Sequence, residues 1–348
     1  MSIKINRKIS ISNNTAPIIV AEISGNHCGK KSLLLKHIKI AAKSGADMVK
    51  IQTYEPSDIT IKQKNKKFII KKGIWKNKYL WDLYKSAHTP YAWHHDAFKL
   101  AKKLNITLFS TPFSKKAVDF LEKFNVPIYK ISSFEITDLD LINHIAKKNK
   151  PIILSTGMAT LGEIKKAINI IEKHHKKIII LYCVSGYPTK EVDANIITIK
   201  KFSSIFKNYT IGLSDHTKGI YSSLTATALG VKVIEKHFIL SNKLKSLDKT
   251  FSIEPKEMLQ LKEMTKKVYQ SLGKTIIGPK KNEIDSLKLR RSIFAIQTIK
   301  KGEKFSKKNI ANFRPKIGIC ASKFFEILNK KTKKNIKKNE PLYYSDLK

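Results

Sequence analysis

The sequence predicts an α/β protein: a (β/α)8 barrel over residues 17–278 and a small β-rich domain over 289–348. Eight short apolar runs alternate with amphipathic stretches at intervals of roughly 20 to 30 residues, as parallel strands joined by crossover helices do. The amphipathic stretches carry apolar residues at i, i+3 and i+4, and several stop at glycine, as in KSLLLKHIKIAAKSG. After Gly278-Pro279 the period changes: RRSIFAIQTIKKGEKFSKKNIANF alternates apolar and polar residues around a KKGE turn.

Strands are expected at 17–23 (PIIVAEI), 47–52 (DMVKIQ), 106–110 (ITLFS), 127–132 (PIYKIS), 151–156 (PIILST), 178–184 (IIILYCV), 209–214 (YTIGLS) and 231–237 (VKVIEKH). Helical patterns between them include AVDFLEKFN, LGEIKKAINIIEKHH and SSLTATALG, and EPKEMLQLKEMTKKVYQSLG follows the eighth strand. Residues 1–16 read as a hairpin ahead of the barrel, 53–90 as an insertion after its second strand, and 279–288 as a charged linker.

With 348 residues, 42% of them hydrophobic, the chain can bury a sizeable core. It has no apolar run long enough to cross a membrane, and MSIKINRKIS lacks the apolar centre of a signal peptide. Cys28, Cys183 and Cys320 form neither a metal spacing nor a disulfide framework, so a cytoplasmic protein is expected. The net charge of +41 raises nucleic-acid binding as a question, but the excess is lysine spread over every helical face. Arginine, whose planar fork suits phosphate and base recognition, occurs only at positions 7, 290, 291 and 314. The expected partners therefore exclude nucleic acid and membranes.

Barrel enzymes place their chemistry at the C-terminal ends of the strands, and here every strand ends in reactive groups. The first supplies Glu22, Asn26 and His27, the second Lys50, Gln52 and Thr53, the third Ser110 and Thr111, and the fourth Lys130, Ser133 and Glu135. Ser155 ends the fifth, Ser185 and Tyr187 follow the sixth, and Ser214-Asp215-His216 and Glu235-Lys236-His237 close the last two. A lysine near the end of an apolar strand must find a counter-charge. Lys50 and Lys130, with Thr111, Ser133, Ser155 and Ser214, suit a small phosphorylated and carboxylated anion; the alternative is structural pairing with Glu22 or Glu135. His216 and His237 end neighbouring strands, so their imidazoles can converge on a divalent metal with positions left for water and substrate. Asp215 or Glu235 is then a further ligand or an orienting group; the alternative is that both histidines bond loops or substrate. A Schiff-base aldolase using Lys130 is a rival reading that leaves the histidine pair without a purpose.

Taken together, AEISGNHCG, GADMVKIQT, FSTPF, YKISSFE, STGMATLGEI, GLSDHT, IEKHF and FRPKIG resemble the motifs of the sialic acid (nonulosonic acid) synthase family. The C-terminal part resembles that family's antifreeze-like (SAF) domain. KKGIWKNKYLWDLYKSAHTPYAWH and LDKTFSIEP are similar to the branch that makes pseudaminic acid. The resemblance implies a TIM-barrel enzyme that condenses phosphoenolpyruvate with 2,4-diacetamido-2,4,6-trideoxy-L-altrose and water, giving a nine-carbon acid and phosphate. The alternative is the same chemistry on a neuraminic or legionaminic precursor. By this resemblance Lys50, Gln52, Thr111, Lys130, Ser133, Ser155, Ser185 and Ser214 bind phosphoenolpyruvate. Glu22 and Glu135 move protons, and Tyr187 and Asp248 lie on the sugar side. His216 and His237 hold Mn2+, Mg2+ or Co2+. Arg314 enters the partner's barrel in a domain-swapped homodimer. The chain departs from the usual pattern at Gly25, Val184 and Gly186.

Overall fold

The computed structural model describes residues 2–12 and 14–348, in two compact units that divide after Gly273. In the first unit a short antiparallel hairpin, β1 (Ser2–Lys4) and β2 (Ser10–Ser12), precedes the barrel. Met1 and Asn13 of the expected hairpin segment lie outside the described residues. Eight parallel strands then close on themselves. They are β3 (Ile18–Glu22), β4 (Met48–Thr53), β5 (Thr107–Pro112), β6 (Tyr129–Ile131), β7 (Ile152–Ser155), β8 (Ile178–Cys183), β9 (Thr210–Asp215) and β10 (Val233–His237). Each falls on a run expected from the sequence, with ends shifted by one or two residues.

Side chains alternate across a strand, and this period of two divides the apolar residues of the barrel into two cores. Ile19, Val49, Leu108, Tyr129, Leu154, Ile180, Leu213 and Ile234 face outward and pack with the surrounding helices, such as Lys31–Lys43 and Leu161–Glu172. Val20, Met48, Phe109, Ile128, Ile153, Ile179, Leu181 and Val233 form a separate cluster with Ile3, Ile5 and Ile11 of the hairpin. They fill the lower barrel interior, and the hairpin closes its floor. At Gly212 a Cβ would lie 2.6 Å from the Val233 carbonyl oxygen and collide with Leu181, so only glycine lets β9 pass this plug.

The insertion after β4 is partly helical, with Pro56–Ile59 and Leu80–Ala87 as its regular elements. The helix Pro255–Leu272 after β10 ends at Gly273, whose φ of +53° suits glycine. The second unit therefore begins at Lys274, ahead of the expected boundary at 278. Residues 281–283 of the expected linker, and 285–289 at its junction with the expected second domain, form short 3-10 turns. The unit has one antiparallel pair, β11 (Ser292–Ala295) and β12 (Ile310–Phe313), around a core of Ile293, Ile299, Phe305, Ile310, Ile319, Ile336 and Leu342. Isolated bridges such as Ile299 to Ile336 and Thr332 to Leu347 complete its extended character. Among the described residues no helix is long and apolar enough to cross a membrane.

Candidate active site

Two residues beyond six of the plug positions the same inward face turns polar. Val20 is followed by Glu22, Met48 by Lys50 and Gln52, Phe109 by Thr111, Ile128 by Lys130, Ile153 by Ser155, and Val233 by Glu235 and His237. Above the plug these side chains, Thr111 excepted, border a cavity of about 350 Å3.

The polar end of the cavity is a buried four-charge cluster. Lys50 Nζ lies 3.0 Å from Glu22 Oε2 and 3.0 Å from Glu235 Oε1, and it donates to Thr111 Oγ1 at 3.3 Å. Lys130 Nζ is 3.6 Å from the same Glu235 oxygen, which also accepts from the Ser214 hydroxyl at 3.3 Å. Gln52 donates to Glu22 Oε1 at 3.2 Å. Burial pushes the Glu22 carboxyl up to about 7: Lys50 opposes the shift and the Glu235 carboxylate adds to it. Burial likewise lowers Lys130 to about 8, with Glu235 opposing and Lys50 reinforcing. Lys50, held between two carboxylates that outweigh its own desolvation, stays above the ordinary lysine value. Among the described residues Ser155 Oγ and Glu235 Oε2 are buried with no hydrogen-bond partner. Such unmet polar capacity is costly unless a ligand meets it.

Beside this cluster Ser133 Oγ accepts from the Gly157 amide at 3.0 Å. A Cβ at Gly157 would lie 2.9 Å from that oxygen and 3.2 Å from Cys183 Sγ, and would collide with the Ser185 hydroxyl. Ser185 and Thr111 back the polar end without lining the cavity. Glu135 lines it, accepts a hydrogen bond from Ser132, and is raised by burial.

The two histidines converge. Their ring centroids are 5.4 Å apart, and both rings line the cavity. His216 Nδ1 donates to the Val184 carbonyl at 2.9 Å, so in the neutral ring the lone pair lies on Nε2; burial alone would lower this imidazole, but Cys183, the Val184 carbonyl and Asp215 raise it above the ordinary value. Burial, His216 and the nearby lysines hold His237 well below the usual imidazole range, so it is neutral. Its Nδ1 is buried without a hydrogen-bond partner, 3.9 Å from Asp248 Oδ2. Asp248 accepts from the Gly25 amide at 3.3 Å and is raised by burial. Among the described residues no three His, Cys, Asp or Glu side chains gather as a metal cage. Two imidazoles, one with an unmet nitrogen, fit a divalent ion that keeps positions for water and substrate; they do not fit a closed structural zinc site. Of the two acids considered as a further ligand, Asp215 faces away from the cavity, bound by Thr217, Ser223 and Lys236, and Glu235 gives Oε1 to the lysines while its Oε2 stays unpartnered. Glu235 proves to be the hub of the polar cluster; its place two residues before His237 on one strand was the signal for that.

The opposite wall is apolar and was not expected as part of the site. Ile59, Ile70, Trp75, Leu80 and Leu83 of the 53–90 insertion line it with Tyr84, Phe113, Leu247 and Phe251. The Trp75 indole donates to the Leu247 carbonyl at 3.1 Å and packs on Tyr187, with ring centroids 5.4 Å apart. Tyr187 in turn lies 4.5 Å from the His216 ring. Of the remaining histidines, His27 and His94 are buried structural residues that hydrogen-bond Thr89 and Thr53, and His175 is also buried. Arg314 is exposed, on the second unit, directly after β12.

A closed parallel barrel with buried lysines, hydroxyls and converging histidines at its strand ends has the layout of a barrel enzyme's active site. Residues 37–277 match the NeuB family and residues 290–348 the SAF domain. The chain belongs to the NeuB family. It is 42% identical over 334 residues to the pseudaminic acid synthase of Helicobacter pylori, covering 95% of this chain and 98% of that protein. It is 39% identical over 328 residues to the N,N'-diacetyllegionaminic acid synthase of Campylobacter jejuni, covering 93% and 98%. Among solved structures, the N-acetylneuraminic acid synthetase of Leptospira borgpetersenii aligns with a TM-score of 0.74 at 32% identity, over 82% of this chain and 95% of that one.

Proposed function

We propose that this protein condenses phosphoenolpyruvate with 2,4-diacetamido-2,4,6-trideoxy-L-altrose and water to give pseudaminic acid and phosphate. Three relatives named pseudaminic acid synthase, at 40–42% identity, support the reading. The observation that carries it is the division of one cavity into a lysine-and-serine end and an apolar wall. The first suits a phosphorylated carboxylate, and the second suits the two acetamido methyls and the C6 methyl of the acceptor.

In this reading Lys50 and Lys130 neutralise phosphoenolpyruvate, and Ser133, Ser155 and Ser214 bond its oxygens. Gln52, Thr111 and Ser185 hold these groups in place from beside or behind them. A new bond joins C3 of phosphoenolpyruvate to the aldehyde carbon of the open-chain sugar, leaving an oxocarbenium at C2. Water adds at C2, and the tetrahedral intermediate expels phosphate by breaking its C2–O bond. Glu22, titrating near neutrality, takes the proton of the adding water, and Glu135 gives one to the oxygen of the former aldehyde. Tyr187 and Asp248 orient the sugar. His216 and His237 would hold one divalent ion, Mn2+, Mg2+ or Co2+, which would supply Lewis-acid charge beside the aldehyde and the water.

The same reading includes a cytoplasmic homodimer in which Arg314 of one subunit completes the other's site. Its support is the exposure of Phe313 and Ile317 around Arg314, of Phe134 and Met158 on loops after barrel strands, and of Tyr221 at the start of the helix Tyr221–Ala228. Gathered into one patch, such groups would suit a surface that another chain covers.

The test is phosphate release from phosphoenolpyruvate with the L-altro sugar, with and without Mn2+, for the wild type and His237→Ala. Metal-dependent release that disappears in the variant is expected. Release that survives chelation and substitution overturns the metal assignment. Turnover of only the legionaminic or neuraminic precursor keeps the chemistry and changes the acceptor.

A further inference from the structure

Above the plug, β9 and β10 alternate as a pair. Ser214 and Glu235 are register partners and face the cavity. Asp215 and Lys236, the next partners, point the other way, and His216 and His237 return to the cavity. Lys236 Nζ lies 3.1 Å from Asp215 Oδ2, with both side chains almost fully buried. The same ammonium donates to the Thr217 carbonyl at 2.5 Å. Asp215 Oδ1 accepts from the Thr217 amide at 2.9 Å and its hydroxyl at 2.7 Å, and Oδ2 accepts from Ser223 at 2.6 Å. The residues on both sides of His216 are thus tied to one ammonium, which belongs to the residue just before His237.

We infer that the buried Asp215–Lys236 pair is a clamp that sets the spacing and facing of the two imidazoles. The inference rests on the metal reading above and assigns positioning roles to two residues behind the cavity wall. A buried ion pair is a weak source of stability, since an apolar pair of similar volume commonly serves as well or better. Its presence between the strands that carry His216 and His237 therefore points to geometry. Partners that orient metal-binding histidines from behind typically change metal affinity by about 10–100-fold when altered. If the backbone ladder of β9 and β10 alone set the spacing, an apolar pair would leave that affinity unchanged.

The experiment compares full-length wild type with Asp215→Leu/Lys236→Met, titrating Mn2+ by electron paramagnetic resonance and recording thermal melts without metal. The double variant, which also strands the Thr217 and Ser223 groups that bond the pair, is expected to melt at a lower temperature but to remain folded, and to bind Mn2+ about tenfold more weakly or worse. Lys236→Arg, which keeps the charge and can reach both acceptors, is expected to recover most of the affinity. Wild-type Mn2+ affinity in a stable double variant overturns the clamp and leaves the metal reading standing. Failure of the wild type itself to bind Mn2+ overturns both. If the double variant does not fold, Asp215→Asn reads the same affinity, and a wild-type value there overturns the clamp.

Discussion

The lower and upper halves of the barrel interior are made by the same strands and differ in what their inward positions carry. Below, Val20, Met48, Phe109, Ile128, Ile153 and Val233 interlock with the hairpin as a dry plug. Two residues further on, Glu22, Lys50, Thr111, Lys130, Ser155 and Glu235 gather two opposed pairs of charges and leave polar atoms unmet. Dispersion and burial hold the first layer with little specificity, and hydrophobic residues of similar volume can substitute. The second layer is expensive to bury and each member depends on the others. The difference teaches that stability and chemistry are layered along a strand, about 7 Å apart by the rise of a β-strand.

The largest expected contrast comes from one substitution in each layer. Lys50→Met leaves Glu22 and Glu235 without their shared counter-charge, so it should abolish phosphate release and cost about 3–5 kcal/mol in urea unfolding. Phe109→Ala should cost a similar amount, about 3–5 kcal/mol, through the cavity it leaves, yet preserve the KM for phosphoenolpyruvate in the folded fraction. A large KM change in Phe109→Ala would break the separation of layers.

Glu22→Gln sharpens the comparison by pH. Folding raises the Glu22 pKa from 4.5 to about 7, so the native state holds this proton more tightly than the unfolded chain. The stability that results is full below about 4.5 and is lost as pH rises through about 7. Wild-type stability should therefore decline across that window relative to Glu22→Gln, which keeps a neutral group of the same shape. Turnover has the opposite dependence, because accepting the water proton needs the ionised form. The acidic limb of the wild-type kcat profile should fall near pH 7, and the variant should lose the limb along with about 10²–10⁴ in rate. Parallel stability profiles for the two proteins would remove Glu22 from this role.

The smallest effect concerns the loop-borne wall. Ile70→Asn should reduce the preference for the 6-deoxy acceptor over its 6-hydroxy analogue by about tenfold, with the KM for phosphoenolpyruvate unchanged. An unchanged preference would show that the insertion encloses the sugar without selecting it.

The barrel was legible because each strand is a short apolar run of the right length, and the polar end of the site because reactive residues sit where such runs stop. His216, His237, Lys50 and Lys130 could all be read in this way. The apolar wall could not. Ile59, Ile70, Trp75 and Leu83 lie in an insertion without a clean period, and nothing local says which of its residues will turn toward the strands. Glu235 and Asp215 looked equivalent, each one or two residues before a histidine. Strand parity separates them: Glu235 shares the inward face with His237, and Asp215 is one residue from His216 and faces outward.

By itself the sequence determined the eightfold alternation of strand and helix and the set of reactive groups at the strand ends. Both follow from local chemistry: side-chain period, turn residues, and the cost of burying a charge near an apolar run. Only the tertiary structure decided that Glu235 unites the two lysines, that Asp215 pairs with Lys236 behind the histidines, and that Trp75 ties the insertion to Leu247 and Tyr187. These contacts join residues from different strands and loops. Barrel closure and the packing of the insertion bring them together, and no spacing along the chain encodes that distance.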